Sequence, residues 1–182
     1  TGQYIRPIAL IQCERTGKDQ RGNGFVHSED VKQQLIDEGI NPSEVAIKSS
    51  DKNDIEDIDL FSSDCQIRYI ITQSALNEGW DCSFAYVLGI IPNVNSNTSV
   101  TQLIGRILRQ PRAKKTGIKD LDESYVYYAK GDTNNLLQNV IKGFEDEGLG
   151  DLVSQMQVNN KPEVNAKKTV KIKDEFKKYE YA

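Results

Sequence analysis

Short, almost wholly apolar runs recur along this chain with helix-patterned or polar segments between them. That alternation restricts the fold more than any other feature of the 182 residues. Pro7-Ile8-Ala9-Leu10-Ile11-Gln12-Cys13, Val45-Ala46-Ile47-Lys48, Arg68-Tyr69-Ile70-Ile71-Thr72, Ala85-Tyr86-Val87-Leu88-Gly89-Ile90-Ile91 and residues 124–129 are the predicted strands. Strands apolar at consecutive positions, rather than at every second one, are buried on both faces, as in a parallel sheet. Helical patterns fill the intervals. One begins at Ser28, which can cap it, sets Val31, Leu35 and Ile36 on one face and ends at Gly39; others are predicted over 100–109 and 134–147. Residues 15–24 and 92–98 are predicted loops, and 51–59 an acidic surface stretch. Strand–helix alternation predicts an α/β fold, with a mostly parallel sheet and helices on both faces. The pattern holds over residues 1–150. After Gly150 it dissolves, and 151–182 is predicted to be a Lys-rich linker or the start of a following domain.

Charge and cysteine usage narrow the function classes. Residues 161–182 hold seven Lys against four acids, a charge of +3, so the rest carries −7 in a chain of net −4. Such a balance does not advertise nucleic-acid binding, although a local strip that meets phosphates suffices for it. No run of about eighteen apolar residues is present to span a membrane, and no signal peptide opens the sequence. The chain begins Thr1-Gly2-Gln3 and reads as a piece of a longer polypeptide. Cys13, Cys65 and Cys82 stand apart, and the only histidine is His27. Paired local ligands of the kind that hold structural zinc are missing, so no metal site is expected. Reduced thiols in a cytosolic protein are the reading of this usage.

Two segments suggest chemistry. At 100° per residue, a helix over 100–109 sets Val100, Leu103, Ile104, Ile107 and Leu108 on one face. Gln102, Gly105, Arg106 and Arg109 fall on the other. Such a helix docks through its apolar side and presents an amide and two guanidiniums, whose planar, permanently charged forks suit phosphate. Solvated surface arginines, or a capping box between Ser99 and Gln102, would explain the same letters. The second segment, Thr72-Gln73-Ser74-Ala75-Leu76-Asn77-Glu78-Gly79-Trp80-Asp81, follows a strand directly. Ligands of parallel sheets sit at the carboxyl ends of strands. A turn with a capping Asp and a core Trp80 is the alternative.

Together and in this order, the two segments resemble motifs V and VI of superfamily-2 helicases. Thr72 to Asp81 looks like the former. Gln102 to Arg109, written Q-x-x-G-R-x-x-R, looks like the latter, and Arg6-Pro7 to Gln12 sits where motif IV would be. The wording Glu78-Gly79-Trp80-Asp81-Cys82 and Gly105-Arg106-Ile107-Leu108-Arg109-Gln110-Pro111 is similar to the restriction subunits of type III restriction enzymes and their helicase relatives. The resemblance covers about residues 5–147. It implies a second, C-terminal RecA-like domain that completes a composite ATP site with an N-terminal RecA-like domain and grips a DNA strand. Thr72 would contact the nucleic-acid backbone. Gly79 and Asp81 would meet the nucleotide, Asp81 at the ribose. Gln102, Arg106 and Arg109 would face the triphosphate, with Arg109 as the arginine finger that neutralises charge on the transferred phosphoryl group. ATP would be the shared cofactor and Mg²⁺ would be held by the other domain. A modification methyltransferase would be a partner if the parent is a true restriction subunit.

No G-x-x-x-x-G-K-[ST] loop occurs, and Gly17-Lys18 is followed by Asp19. The chain alone is therefore expected to be inactive, within a parent that hydrolyses ATP. Two rivals stand beside this reading. One is a non-catalytic nucleic-acid-binding module on a helicase-like fold. The other is a nuclease fragment, suggested only by Glu175-Phe176-Lys177 in the tail. Arg15, Lys18 and Arg21 form a basic loop that either touches DNA or is simply solvated.

Overall fold

A computed structural model describes residues 4–13, 26–72, 84–91, 104–105, 116–129, 133–146 and 148–158. Its centre is a five-stranded sheet built from β1 (Ile8–Gln12), β2 (Val45–Lys48), β3 (Tyr69–Thr72), β4 (Ala85–Ile90) and β5 (Tyr125–Tyr128). The order is β2-β3-β1-β4-β5, and every pairing is parallel. This is the α/β class with a parallel sheet expected from the alternating pattern.

Both faces of β1 to β4 are covered, which is why these strands are almost wholly apolar. Ile8, Leu10, Ala46, Ile70, Leu88 and Ile90 form one core, closed by Val140 and Phe144 of helix α3 (Thr133–Asp146) and by Ile104. Ile71, Ile47, Val45 and Cys13 form the other, closed by Val31 and Leu35 of helix α1 (Ser28–Asp37). Ile104 and Gly105 are helical. The remainder of the helix predicted over 100–109 lies outside the described residues. A side chain at Gly105 would meet open space.

Several local expectations shift. The cap of α1 is His27 rather than Ser28: His27 is extended, and its Nδ1 accepts the Glu29 amide at 3.2 Å. Ser28 becomes the first helical residue and is buried. At the other end Gly39 takes a φ of +93°. It lets its own N–H reach Ile36 O at 2.9 Å and that of Ile40 reach Leu35 O at 3.0 Å, satisfying last-turn carbonyls. The predicted acidic surface stretch is only partly that. Asp54 takes the Ile47 N–H on the outer flank of β2 at 3.0 Å, while Ile55 and Leu60 are buried in the core. A bulge between β1 and β4 makes Tyr86 an extra residue, since Ile8 aligns with Ala85 and Ala9 with Val87. Short helices α2 (Lys119–Asp122) and α4 (Gly150–Val153) complete the described elements, and Val153 and Met156 pack on the first core. Residues 159–182, including the Lys-rich tail and Glu175-Phe176-Lys177, lie outside the described residues. No helix among the described residues is long and apolar enough to cross a membrane.

Candidate functional site at the carboxyl edge of the sheet

β1 lies at the centre of the sheet, with β3 on one side and β4 on the other. The chain passes from β1 to the β2 edge, returns through β3, then crosses to β4. The carboxyl ends of β1, β3 and β4 therefore surround the point where strand order reverses. In open parallel sheets that is where a crevice for ligands opens.

Register brings Lys48, Thr72, Gln12, Ile90 and Tyr128 into one row across this edge. Two of the five are polar and almost wholly enclosed: Thr72 is 1% exposed and Gln12 3%. Both continue the alternating positions that carry Leu10 and Ile70 into the first core. The backbone beneath them is locked. Cys13 N–H donates to Thr72 O at 2.9 Å, Ile91 N–H to Gln12 O at 2.9 Å and Ala129 N–H to Ile90 O at 3.0 Å. Among the described residues Gln12 Oε1 accepts no hydrogen bond. Native proteins seldom leave such an atom unsatisfied. A fixed amide and hydroxyl in this position can hydrogen-bond a ligand's polar atoms. Neither residue type is an acid, a base at neutral pH or an activated nucleophile, so the chemistry open to the pair is hydrogen bonding rather than catalysis.

Thr72 thus stands where the sequence places it, at the last position of β3. Gly79, Asp81, Gln102, Arg106 and Arg109 lie outside the described residues, as do Arg15, Lys18 and Arg21. Gln12 was read only as the end of the motif-IV segment. Its signal is a polar residue at a core-facing position of an otherwise apolar alternation. Arg6 is a second residue whose role the letters did not give. Its guanidinium is buried, and among the described residues it meets no carboxylate. Nε donates to Ile67 O at 3.0 Å, NH2 to Leu60 O at 2.6 Å, and NH1 to Ser62 O at 2.9 Å and Cys65 O at 2.5 Å. Arg6 therefore ties β1 to the 60–67 segment and serves the fold rather than a ligand.

An open groove of about 540 Å³ lies elsewhere, along the β2 flank, lined by Lys32, Val45, Lys52, Asp54, Cys65 and Ile67. Its two lysines are already paired: Lys52 meets Glu29 at 2.8 Å, and Lys32 meets Asp54 at 3.7 Å. The hydrogen bond from Lys52 to Glu29 holds its ammonium above the usual lysine range, with Asp54 adding to the effect and partial burial opposing it. Burial pushes the Tyr86 phenol up, and the Asp122 carboxylate adds to this. Among the described residues no group of three or more His, Cys, Asp or Glu is arranged to hold a metal.

No family profile matches the chain, and no curated protein does. A solved structure to which it is similar is the C-terminal domain of Dbp5 from S. cerevisiae, bound to Gle1 and IP6. Identity is 18%, the match covers 84% of each chain, and the TM-score is 0.44. A likeness this loose carries no residue roles and no ligand to this chain.

Proposed function

We propose that this chain is the C-terminal motor half of an ATP-dependent superfamily-2 helicase or translocase, related to the restriction subunit of type III restriction enzymes. One observation supports the reading above the rest. At the carboxyl edge, where strand order reverses, the central strands end in the enclosed polar pair Gln12 and Thr72. The segment bearing Gly79 and Asp81 follows Thr72 directly in the sequence. A bland surface turn gives no reason for enclosing the Gln12 amide there, since its Oε1 has no hydrogen-bond partner among the described residues and such burial is costly.

In this reading Thr72 holds a phosphodiester of one DNA strand. Gly79 and Asp81 meet the nucleotide, and Gln102, Arg106 and Arg109 face its phosphates across a cleft shared with an upstream RecA-like domain. That domain supplies the glycine loop, lysine and Mg²⁺-holding carboxylate. ATP binding draws the two domains together, hydrolysis releases them, and repeated closure moves the protein along DNA.

The test joins the upstream half to this chain and compares Arg109→Ala with the natural sequence. Hydrolysis should fall by about three to five powers of ten, the range typical of an arginine finger, with unchanged thermal unfolding. Unchanged hydrolysis would remove the arginine assignment. No hydrolysis in the natural sequence, with DNA affinity indifferent to ATP, would leave the non-catalytic binding module instead.

A further inference from the structure

The polar row at the carboxyl edge continues past Thr72 to the flank of the sheet. Val45 and Ile47 of β2 lie in the second core and Ala46 in the first. Alternation therefore sends Lys48 to the first-core face, which Thr72 and Gln12 share. Lys48 is in register with Thr72. Beyond it, Asn53 stands opposite Lys48 in an antiparallel bridge. On either side of this bridge Ser49 N–H donates to Lys52 O at 2.7 Å and Asp54 N–H to Ile47 O at 3.0 Å. Lys48 and Asn53 are thus a non-hydrogen-bonded pair, the kind whose side chains stand close together on one face. Asn53, Lys48, Thr72 and Gln12 form one polar line of about 14 Å along the edge. The same turn sends Lys52 and Asp54 to the opposite face, where Lys52 meets Glu29 of α1.

Several features set this line apart from solvated residues at strand ends. Asn53 repeats the case of Gln12: its amide oxygen is enclosed and, among the described residues, has no hydrogen-bond partner. Lys48 is half-buried. Among the described residues its ammonium joins no ion pair, whereas Lys32 and Lys52 nearby both do. All four residue types can donate a hydrogen bond, and one of them is a cation. Such a line matches phosphodiester oxygens, which accept hydrogen bonds and are negatively charged. β4, which the segment with Gln102, Arg106 and Arg109 follows in the chain, lies on the far side of β1 from β2. We propose that the bound nucleic-acid strand runs across the sheet edge from Thr72 toward β2, with Lys48 holding a phosphate next to the one at Thr72. Asn53 and Gln12 are the uncharged donors at the two ends of this contact. The inference rests on the motor reading for the class of ligand, and adds to it the path of the strand and the cation that fixes that path.

Fluorescence anisotropy of a labelled single-stranded DNA oligonucleotide, titrated with the full chain at several salt concentrations, tests it. Each phosphate neutralised on a single strand adds about 0.7 to the steepness of log affinity against log salt. Lys48→Met should reduce that steepness by about 0.7 and weaken binding alike on different sequences, because a phosphate contact reads no base. Lys48→Arg should restore the natural slope. Asn53→Ala should weaken binding with the slope unchanged, since no charge is lost. Lys52→Met is the control: it removes the same charge from the same turn on the opposite face, and it should leave the slope as it is. Thermal unfolding of Lys48→Met should match that of the natural chain, which separates lost contact from lost fold. An unchanged slope in Lys48→Met, or an equal reduction in Lys52→Met, overturns the proposal; the motor reading survives that result if Thr72→Ala still weakens binding. A natural chain that binds no single strand at low salt overturns the proposal together with the strand grip that it extends.

Discussion

An enclosed amide oxygen with no donor costs a protein about 1–3 kcal/mol, and Gln12 Oε1 on the central strand has no donor among the described residues. Replacing it with an apolar side chain of similar length removes the cost. Gln12→Met should therefore raise the midpoint of denaturant unfolding by the equivalent of about 1 kcal/mol, and it should weaken strand binding in the joined motor. Loss of stability together with unchanged binding would show that the amide serves the core. Arg6 gives the opposite result. Arg6→Met strands several carbonyl oxygens that the guanidinium now satisfies, so unfolding stability should fall by about 3 kcal/mol or more. Thr72→Ala, in the joined motor, should reduce DNA-stimulated hydrolysis more than basal hydrolysis. Equal loss of both would move Thr72 to the ATP side or to the fold. At this scale the sequence made Thr72 legible because a hydroxyl ends an apolar strand just before a Gly and an Asp. Gln12 and Arg6 were not, because their meaning depends on burial and on carbonyls fifty to sixty residues away, which no local pattern encodes.

Elements were legible where one physical cause sets them. All five strands fall within the apolar runs that predict them, because burial on both faces leaves almost no polar positions inside a central strand. The end of α1 was legible for a similar reason: Gly39 adopts a positive φ that other residues resist. Gly39→Ala should cost about 1 kcal/mol, read as a lower thermal midpoint. Its start was not legible, since Ser28 is a better cap by type than His27, and only tertiary burial of Ser28 moves the boundary. The clamp beside the β2 flank was also hidden, because Glu29, Lys32, Lys52 and Asp54 come from a helix and a distant turn. The folded-state pKa of Lys52 is raised above its unfolded value. Its contribution is therefore fully present below the unfolded lysine pKa and is lost as pH rises through the higher folded value. Stability measured across that alkaline window should decline less steeply in Lys52→Met than in the natural chain. Identical slopes would show the pair to be solvated at the surface, where such pairs contribute little.

Taken whole, the molecule should fold by itself and yet fail to hydrolyse ATP. Folding follows from the two cores, which cover both faces of one sheet and draw on residues from Ile8 to Phe144. A cooperative thermal transition is the expected sign. Failure to hydrolyse follows from the sequence. Phosphoryl transfer requires phosphates cradled by a glycine loop, a lysine and a metal held by hydroxyl and carboxylate, and no P-loop motif is present in the 182 residues. On the proposed reading Gln102, Arg106 and Arg109 form one wall of a cleft. A wall of cations attracts a triphosphate without orienting a water for attack, so binding is weak and turnover absent. Purified chain should show no ATPase above background, with or without DNA. Addition of an upstream RecA-like half should restore hydrolysis, and Arg109→Ala should then abolish it. Robust turnover by the isolated chain, reproducible between preparations and lost in Arg109→Ala, would mean that this domain contains a complete site and that the half-motor reading is wrong.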